Sequence, residues 1–275
     1  MKVIFLFLLF YLTIPFISKA QVGEADFGAR SKALGNANSN LTDEWAMFNN
    51  VGGISGLENG TVSFGFEKVV GMEGFDKIAV GVVQPFKFGT TGFSVYRFGD
   101  DLYNEGLVSA AFGNKIGFVR LGIRANYFQL KIDEFGTTSA LFFDFGGIVE
   151  LMPTLSFGAY ISNFTLSTLK NSERTNLPVM MKVGLSYHPI SAVRLNVDLY
   201  KDVDFQPNIK AGIEYAIHEK FFLRTGLNAD PFTVFFGLGV YLDRFHVDYV
   251  VGTNQYLGTT HQASVSFTYQ KKDEK

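Results

Sequence analysis

From Gly60 to the end of the chain, hydrophobic and polar residues alternate with a period of two. The stretch AVRLNVDLY, Ala192 to Tyr200, puts Val193, Leu195, Val197 and Leu199 on one side and Arg194, Asn196 and Asp198 on the other, the pattern of a strand with unlike faces. The same reading predicts about fourteen strands, at 60–69, 77–86, 88–98, 105–114, 116–130, 137–151, 153–164, 178–188, 191–201, 206–217, 219–229, 231–241, 243–252 and 258–270. They run about 9–15 residues, longer than the roughly 5–6 usual in soluble sheets and suited to crossing a bilayer at a tilt.

The connections alternate as well. PFKF, GNKIG, LMPT, HPIS, IHEK and YLDR are tight, whereas VGMEGFD, GDDLYNEG, KIDEFGT, TLSTLKNSERTNLP, KDVDF and TNQYLG are mostly longer and more polar. Short turns on one side and longer loops on the other are the asymmetry of an outer-membrane barrel, and an even strand number leaves both ends on the short-turn, periplasmic side. The prediction is an all-β, fourteen-stranded antiparallel transmembrane barrel over 59–270, followed by a polar tail at 271–275.

The faces can be assigned. Ile209, Ala211, Ile213, Tyr215 and Ile217, like Phe245, Val247, Tyr249 and Val251, are expected to meet lipid. Arg120, Arg124, Lys182, Arg194, Asp198, Lys210, Glu214, Arg224, His246 and Asp248 fall on the opposite faces and are expected to line the lumen. Acid and base are mixed there, so a ladder of compensating pairs is expected rather than a constriction of one sign.

Composition narrows the class. The chain has 30 Phe and 12 Tyr but only 18% charged residues, more aromatic surface than a soluble protein usually needs. The first twenty residues, MKVIFLFLLFYLTIPFISKA, have an early lysine, a short apolar run and a small-residue ending, and are read as a cleaved secretory signal peptide. Beyond them no apolar run is long enough for a membrane helix. With no cysteine, disulfides, thiolate metal sites and a lipid-modified cysteine are excluded. A formal net charge of −2 gives no nucleic-acid stripe, so nucleic acid is not an expected partner.

One part of the exported chain lacks strand character. Ala25 to Leu57 is rich in glycine and alanine, and a fourteen-strand barrel is too wide for its own side chains to fill, since about eight strands already make a filled interior. Residues 21–58 are therefore expected to form a plug, or hatch, in the lumen, with Arg30, Asn36, Asp43, Trp45 and Asn50 as its structural residues. Thr42 is expected to cap a short helix over DEWAMF, with Trp45 and Phe48 as anchors. Gly146 and Gly147 in a predicted strand mark either a kink that opens a lateral gap or close packing.

GARSKALGNANSNLTDEWAMFNNVGGIS, Gly28 to Ser55, resembles the N-terminal signature of FadL-like barrels of the PorV/PorQ group. Gly28-Ala29-Arg30, Gly35-Asn36-Ala37 and Asp43-Glu44-Trp45-Ala46 match its first three parts, while Asn50-Val51-Gly52-Gly53-Ile54 stands where N-P-A-G-L is usual. YLGTTHQASVSFTYQ, Tyr256 to Gln270, is similar to the last hairpin of that family. The resemblance implies an accessory or scaffold subunit of a larger outer-membrane machine for protein secretion or surface attachment, with other envelope proteins as partners. Its alternative implication is FadL-like uptake of a small hydrophobic molecule through a plugged barrel with a lateral opening. Because the predicted outer loops are short and polar, the first is the favoured expectation.

No enzyme is expected. His246 beside Asp248 is the best dyad, and it reads as a luminal hydrogen-bond pair because no nucleophile accompanies it. Asp100, Asp101 and Glu105 in one loop match no calcium spacing and read as a solvated surface. No catalytic residue, metal or cofactor is assigned.

Overall fold

The computed structural model describes residues 25–170 and 177–270; the expected signal peptide at 1–20 and the polar tail at 271–275 lie outside the described residues. Fourteen strands form one closed antiparallel barrel in sequence order, with β1 (Gly60–Val69) and β14 (Gly258–Gln270) pairing to complete the ring. Closure leaves no unpaired edge, the condition for a sheet to cross a bilayer.

The other strands are β2 (Lys77–Phe86), β3 (Gly89–Gly99), β4 (Tyr103–Ile116), β5 (Val119–Ile132), β6 (Gly136–Met152) and β7 (Leu155–Ser162). The ring continues through β8 (Met180–Ile190), β9 (Val193–Asp202), β10 (Asn208–His218), β11 (Phe221–Asn228), β12 (Thr233–Leu242) and β13 (Phe245–Asn254). Every even-to-odd connection from β2–β3 to β12–β13 leaves only two residues outside the strands, and the opposite end carries the longer loops. The predicted strands and the loop asymmetry are therefore those of the fold, with ends displaced by a few residues.

Burial alternates along nearly every strand. Ile209, Ile213 and Tyr215 of β10 and Phe236 and Leu238 of β12 point outward and are exposed, as are large apolar side chains all round the ring. Water would not tolerate so continuous an apolar exterior, and it fits the lipid-facing band of a transmembrane barrel.

Among the described residues before β1 there is one α-helix, α1 (Ala29–Ala33), and two 3-10 turns, Glu44–Met47 and Val51–Gly56. Most residues from Ala25 to Ile54 are buried. They touch inward-facing positions on strands around much of the ring: α1 packs on β11 to β14, and the second 3-10 turn on β3 to β6.

Candidate functional site

The N-terminal segment meets the barrel through a polar half and an apolar half. In the polar half, Arg30 of α1 donates from Nε and Nη2 to Glu214 Oε2 and Oε1 of β10 at 2.8 and 2.7 Å, and its Nη1 lies 3.2 Å from Asp43 Oδ2. Glu214 also accepts from Arg224 Nε at 2.6 Å, and Arg224 reaches Asp248 Oδ1 at 2.5 Å. Parallel guanidinium–carboxylate bonds of this length are among the strongest polar contacts a protein makes, and here they are largely withdrawn from water.

Further pairs bind the segment to neighbouring strands. Ser39 donates its backbone N–H and hydroxyl to Asp198 of β9 at 2.8 and 2.6 Å. Lys182 of β8 pairs with Asp26 and also contacts Asn38 Oδ1 at 3.3 Å. Lys210 stands 4.2 Å from the Tyr200 ring centroid. His246 Nδ1 lies 3.6 Å from Glu44 Oε1 and its ring stacks on Tyr241 at 4.1 Å.

These contacts revise two expectations. His246 is not paired with Asp248, because Arg224 holds that carboxylate and Glu44 of the segment faces the imidazole. Luminal charges are compensated across strands only in part; Lys182, Asp198, Glu214 and His246 each find a partner in the N-terminal segment.

Within the segment, Asp43 rather than Thr42 caps the first 3-10 turn, accepting the Trp45 N–H at 3.1 Å. Burial pushes the Asp43 carboxyl up to about 6, against the pull of Arg30 and with the charges of Glu44 and Asp248 adding to the rise. Asn36 takes a left-handed backbone, φ 58°, and its N–H closes the end of α1 onto Ser31 O at 3.0 Å. Gly28 has φ 111°, and a Cβ there would stand 2.6 Å from Trp45 Cγ, so both backbone and space require glycine. Trp45 is 1% exposed and packs on Phe27 and Phe48 at centroid distances of 5.5 and 5.6 Å.

Asn50 joins the segment to β6 and β7. Its Nδ2 contacts the carbonyl oxygens of Ser39, Gly147 and Ala159 at 2.6, 3.1 and 3.2 Å, while Oδ1 accepts the Gly52 N–H at 3.0 Å. A Cβ on Gly146 would fall 2.1 Å from Asn50 Oδ1. Gly146 and Gly147 pair continuously with β5 and β7, so close packing rather than a break in the ladder accounts for them. On the outer face at the same place, Leu121, Phe145, Phe157 and Ile161 surround Gly147 and Ala159 in a groove of about 380 Å³.

Strand β5 contributes Arg120, 2.5 Å from Glu150, and Arg124. Arg124 Nη2 bonds Asp144 Oδ2 and the Tyr160 hydroxyl, both at 2.6 Å, and its Nη1 donates to Met47 O of the segment. Asp144 of β6, fully buried, also accepts from Asn126, Ser162 and the Asn163 N–H. Arg194 of β9 lies 3.8 Å from Glu214.

The apolar half is absent from the sequence-based assignment. Tyr96, Leu107, Phe128, Leu130 and Phe142 turn inward near the long-loop ends of β3 to β6, where Leu169 and Leu177 of the β7–β8 connection join them. The signal is present in YFQL and ALFFDF, where apolar residues occupy both faces and alternation fades. Asp144, isolated in that run, is a further missed position with a legible signal. In the acidic loop, Asp100 Oδ1 accepts the N–H groups of Leu102 and Tyr103 at 2.9 and 3.0 Å.

No protein-family model matches the chain, and no curated protein matches it. Among solved structures it is similar to the Pseudomonas putida toluene transporter TodX, with a TM-score of 0.68 and 11% identity over 91% of this chain and 100% of that one. A second TodX structure gives 0.65 and 12% over 90% and 99%. A TodX deltaS2S3 mutant, described as a monoaromatic hydrocarbon channel, gives 0.63 and 12% over 89% and 99%. At such identities the likeness is one of fold: the chain shares the barrel fold of TodX.

Proposed function

We propose that the chain is a non-enzymatic outer-membrane channel for small hydrophobic molecules, with residues 25–58 as a plug in its lumen; the first four residues of the expected plug, 21–24, lie outside the described residues. The observation that carries this reading is the inward apolar wall of Leu107, Phe128, Leu130 and Phe142 at the long-loop, extracellular end. A water-filled pore has no use for aromatic side chains on its inner face, whereas an apolar solute leaving water gains roughly 25 cal/mol for each Å² it buries against them. The likeness to a toluene transporter supports the same reading.

The exit is proposed at the β6–β7 wall. There the plug residue Asn50 touches the carbonyls of Gly147 and Ala159, two small residues that also line the outer groove. Withdrawal of Asn50 would leave Gly147 and Ala159 without these inner contacts. The accessory-subunit reading has only the terminal motifs behind it, so the order of the two functions suggested by the sequence is reversed. The test is uptake of radiolabelled toluene by cells displaying the barrel in an outer membrane without other hydrocarbon channels. Saturable uptake above the barrel-free control is expected, and equal rates would defeat the proposal.

A further inference from the structure

We infer that the short-turn end of the lumen holds a second site, a pocket for a small organic acid carrying a hydrogen-bond donor, with Arg194 as its anchor. The cavity, about 250 Å³, lies between the short-turn ends of β5 to β9 and is roofed by Asn40 and Thr42 of the N-terminal segment. It is at the opposite end of the barrel from the apolar wall and does not rest on the uptake reading.

Three groups there are incompletely matched. Arg194 has its 3.8 Å approach to Glu214 and, among the described residues, no closer polar contact. Glu214 cannot serve it fully, because Arg30 and Arg224 already hold both its oxygens at 2.6 to 2.8 Å. Arg120 is paired with Glu150 at 2.5 Å, yet its buried Nε meets no acceptor. Asn40 is 3% exposed; its Nδ2 donates to Ser39 Oγ at 3.0 Å, but its Oδ1 receives nothing. Buried polar groups are normally satisfied; of the seven buried side-chain atoms without a partner among the described residues, two line this cavity beside Arg194, where a ligand would complete the set.

The chemistry of that ligand follows from the set. Two guanidiniums face the cavity against the single carboxylate of Glu150, an excess of positive charge that favours an anion, and a carboxylate suits the planar fork of arginine. The Asn40 oxygen requires an O–H or N–H donor on the same molecule. Ile148 and Leu155 supply apolar contact for a short carbon body. The volume is below the roughly 300–1,000 Å³ of sites for drug-sized ligands, so a single ring or a short chain is the expected size.

The test is isothermal titration of the detergent-purified full-length barrel with 3-hydroxybenzoate, and with 3-hydroxybenzamide as its uncharged isostere. The acid should bind saturably and the amide about tenfold more weakly or worse, the scale of a lost charged hydrogen bond. Arg194→Gln should remove most of that preference, and Arg194→Lys should restore part of it, in protein that keeps the heat-modifiable gel mobility of a folded barrel. Equal binding of acid and amide by the unmutated protein, or no saturable binding of either, would overturn the inference without any variant. So would a folded Arg194→Gln protein that still prefers the acid.

Discussion

Arg30 and Glu214, 184 residues apart, meet through two parallel hydrogen bonds of 2.8 and 2.7 Å in the interior of the barrel. Removing Arg30 takes both of these bonds from Glu214, which keeps Arg224 at 2.6 Å, so the loss should fall below the about 3–5 kcal/mol of a fully broken buried pair. Arg30→Ala is therefore expected to loosen the N-terminal segment while the barrel stays folded. Limited proteolysis should cut between residues 25 and 57 much faster than in the parent, and heat-modifiable mobility should be unchanged.

Trp45 is the only tryptophan in the chain and is 1% exposed. Its emission should be blue-shifted and poorly quenched by acrylamide in the intact barrel. Trp45→Ala removes a buried ring, a loss of about 3–5 kcal/mol by comparison with other cores. Gly28→Ala should expose the same indole to quencher, because it forces a side chain onto a φ of 111° and into the Trp45 ring.

Asp43 gives the segment a pH dependence of known sign. Its carboxyl is raised to about 6 from an ordinary value of 3.8, so its contribution to docking is complete below pH 3.8 and is lost as pH rises through about 6. Asp26 and Glu44 shift the other way: burial raises them too, but Lys182 beside Asp26 and His246 beside Glu44 outweigh it and hold them below their ordinary 3.8 and 4.5. Proteolysis of the segment should be slower at pH 5 than at pH 8. Asp43→Asn should flatten that difference; a variant with the parental pH profile would remove Asp43 from the explanation.

Asn50→Ala deletes an amide that contacts three carbonyl oxygens, those of Gly147 and Ala159 in the wall among them. In planar bilayers the variant should show more frequent ion leak than the parent, because the segment loses its hold on β6 and β7. A variant as silent as the parent would mean that Asn50 is not what keeps this side closed.

The architecture was legible where the two faces of a strand differ in chemistry. In β9 the polar Arg194, Asn196 and Asp198 alternate with apolar residues, of which Val197 and Leu199 are exposed, and the period alone identifies the strand and its lumen side. In β5 and β6, Phe128 and Phe142 face inward while Tyr127 and Leu141 face out, so the pattern carried no contrast and the apolar inner wall went unseen. Partners were harder than positions. His246 meets Glu44, and Lys182 meets Asp26, because ring closure brings every strand to a segment far away in sequence, a consequence that periodicity does not encode.

The central claim, passage of small apolar molecules through the lumen, is tested most directly by photolabelling. Outer-membrane vesicles containing the barrel would be irradiated with a diazirine-bearing monoaromatic hydrocarbon and the adducts located by mass spectrometry. The account predicts labels on inward Leu107, Phe128 and Phe142 that excess toluene displaces. Labels confined to outward residues such as Leu141 and Phe145, unaffected by toluene, would contradict it.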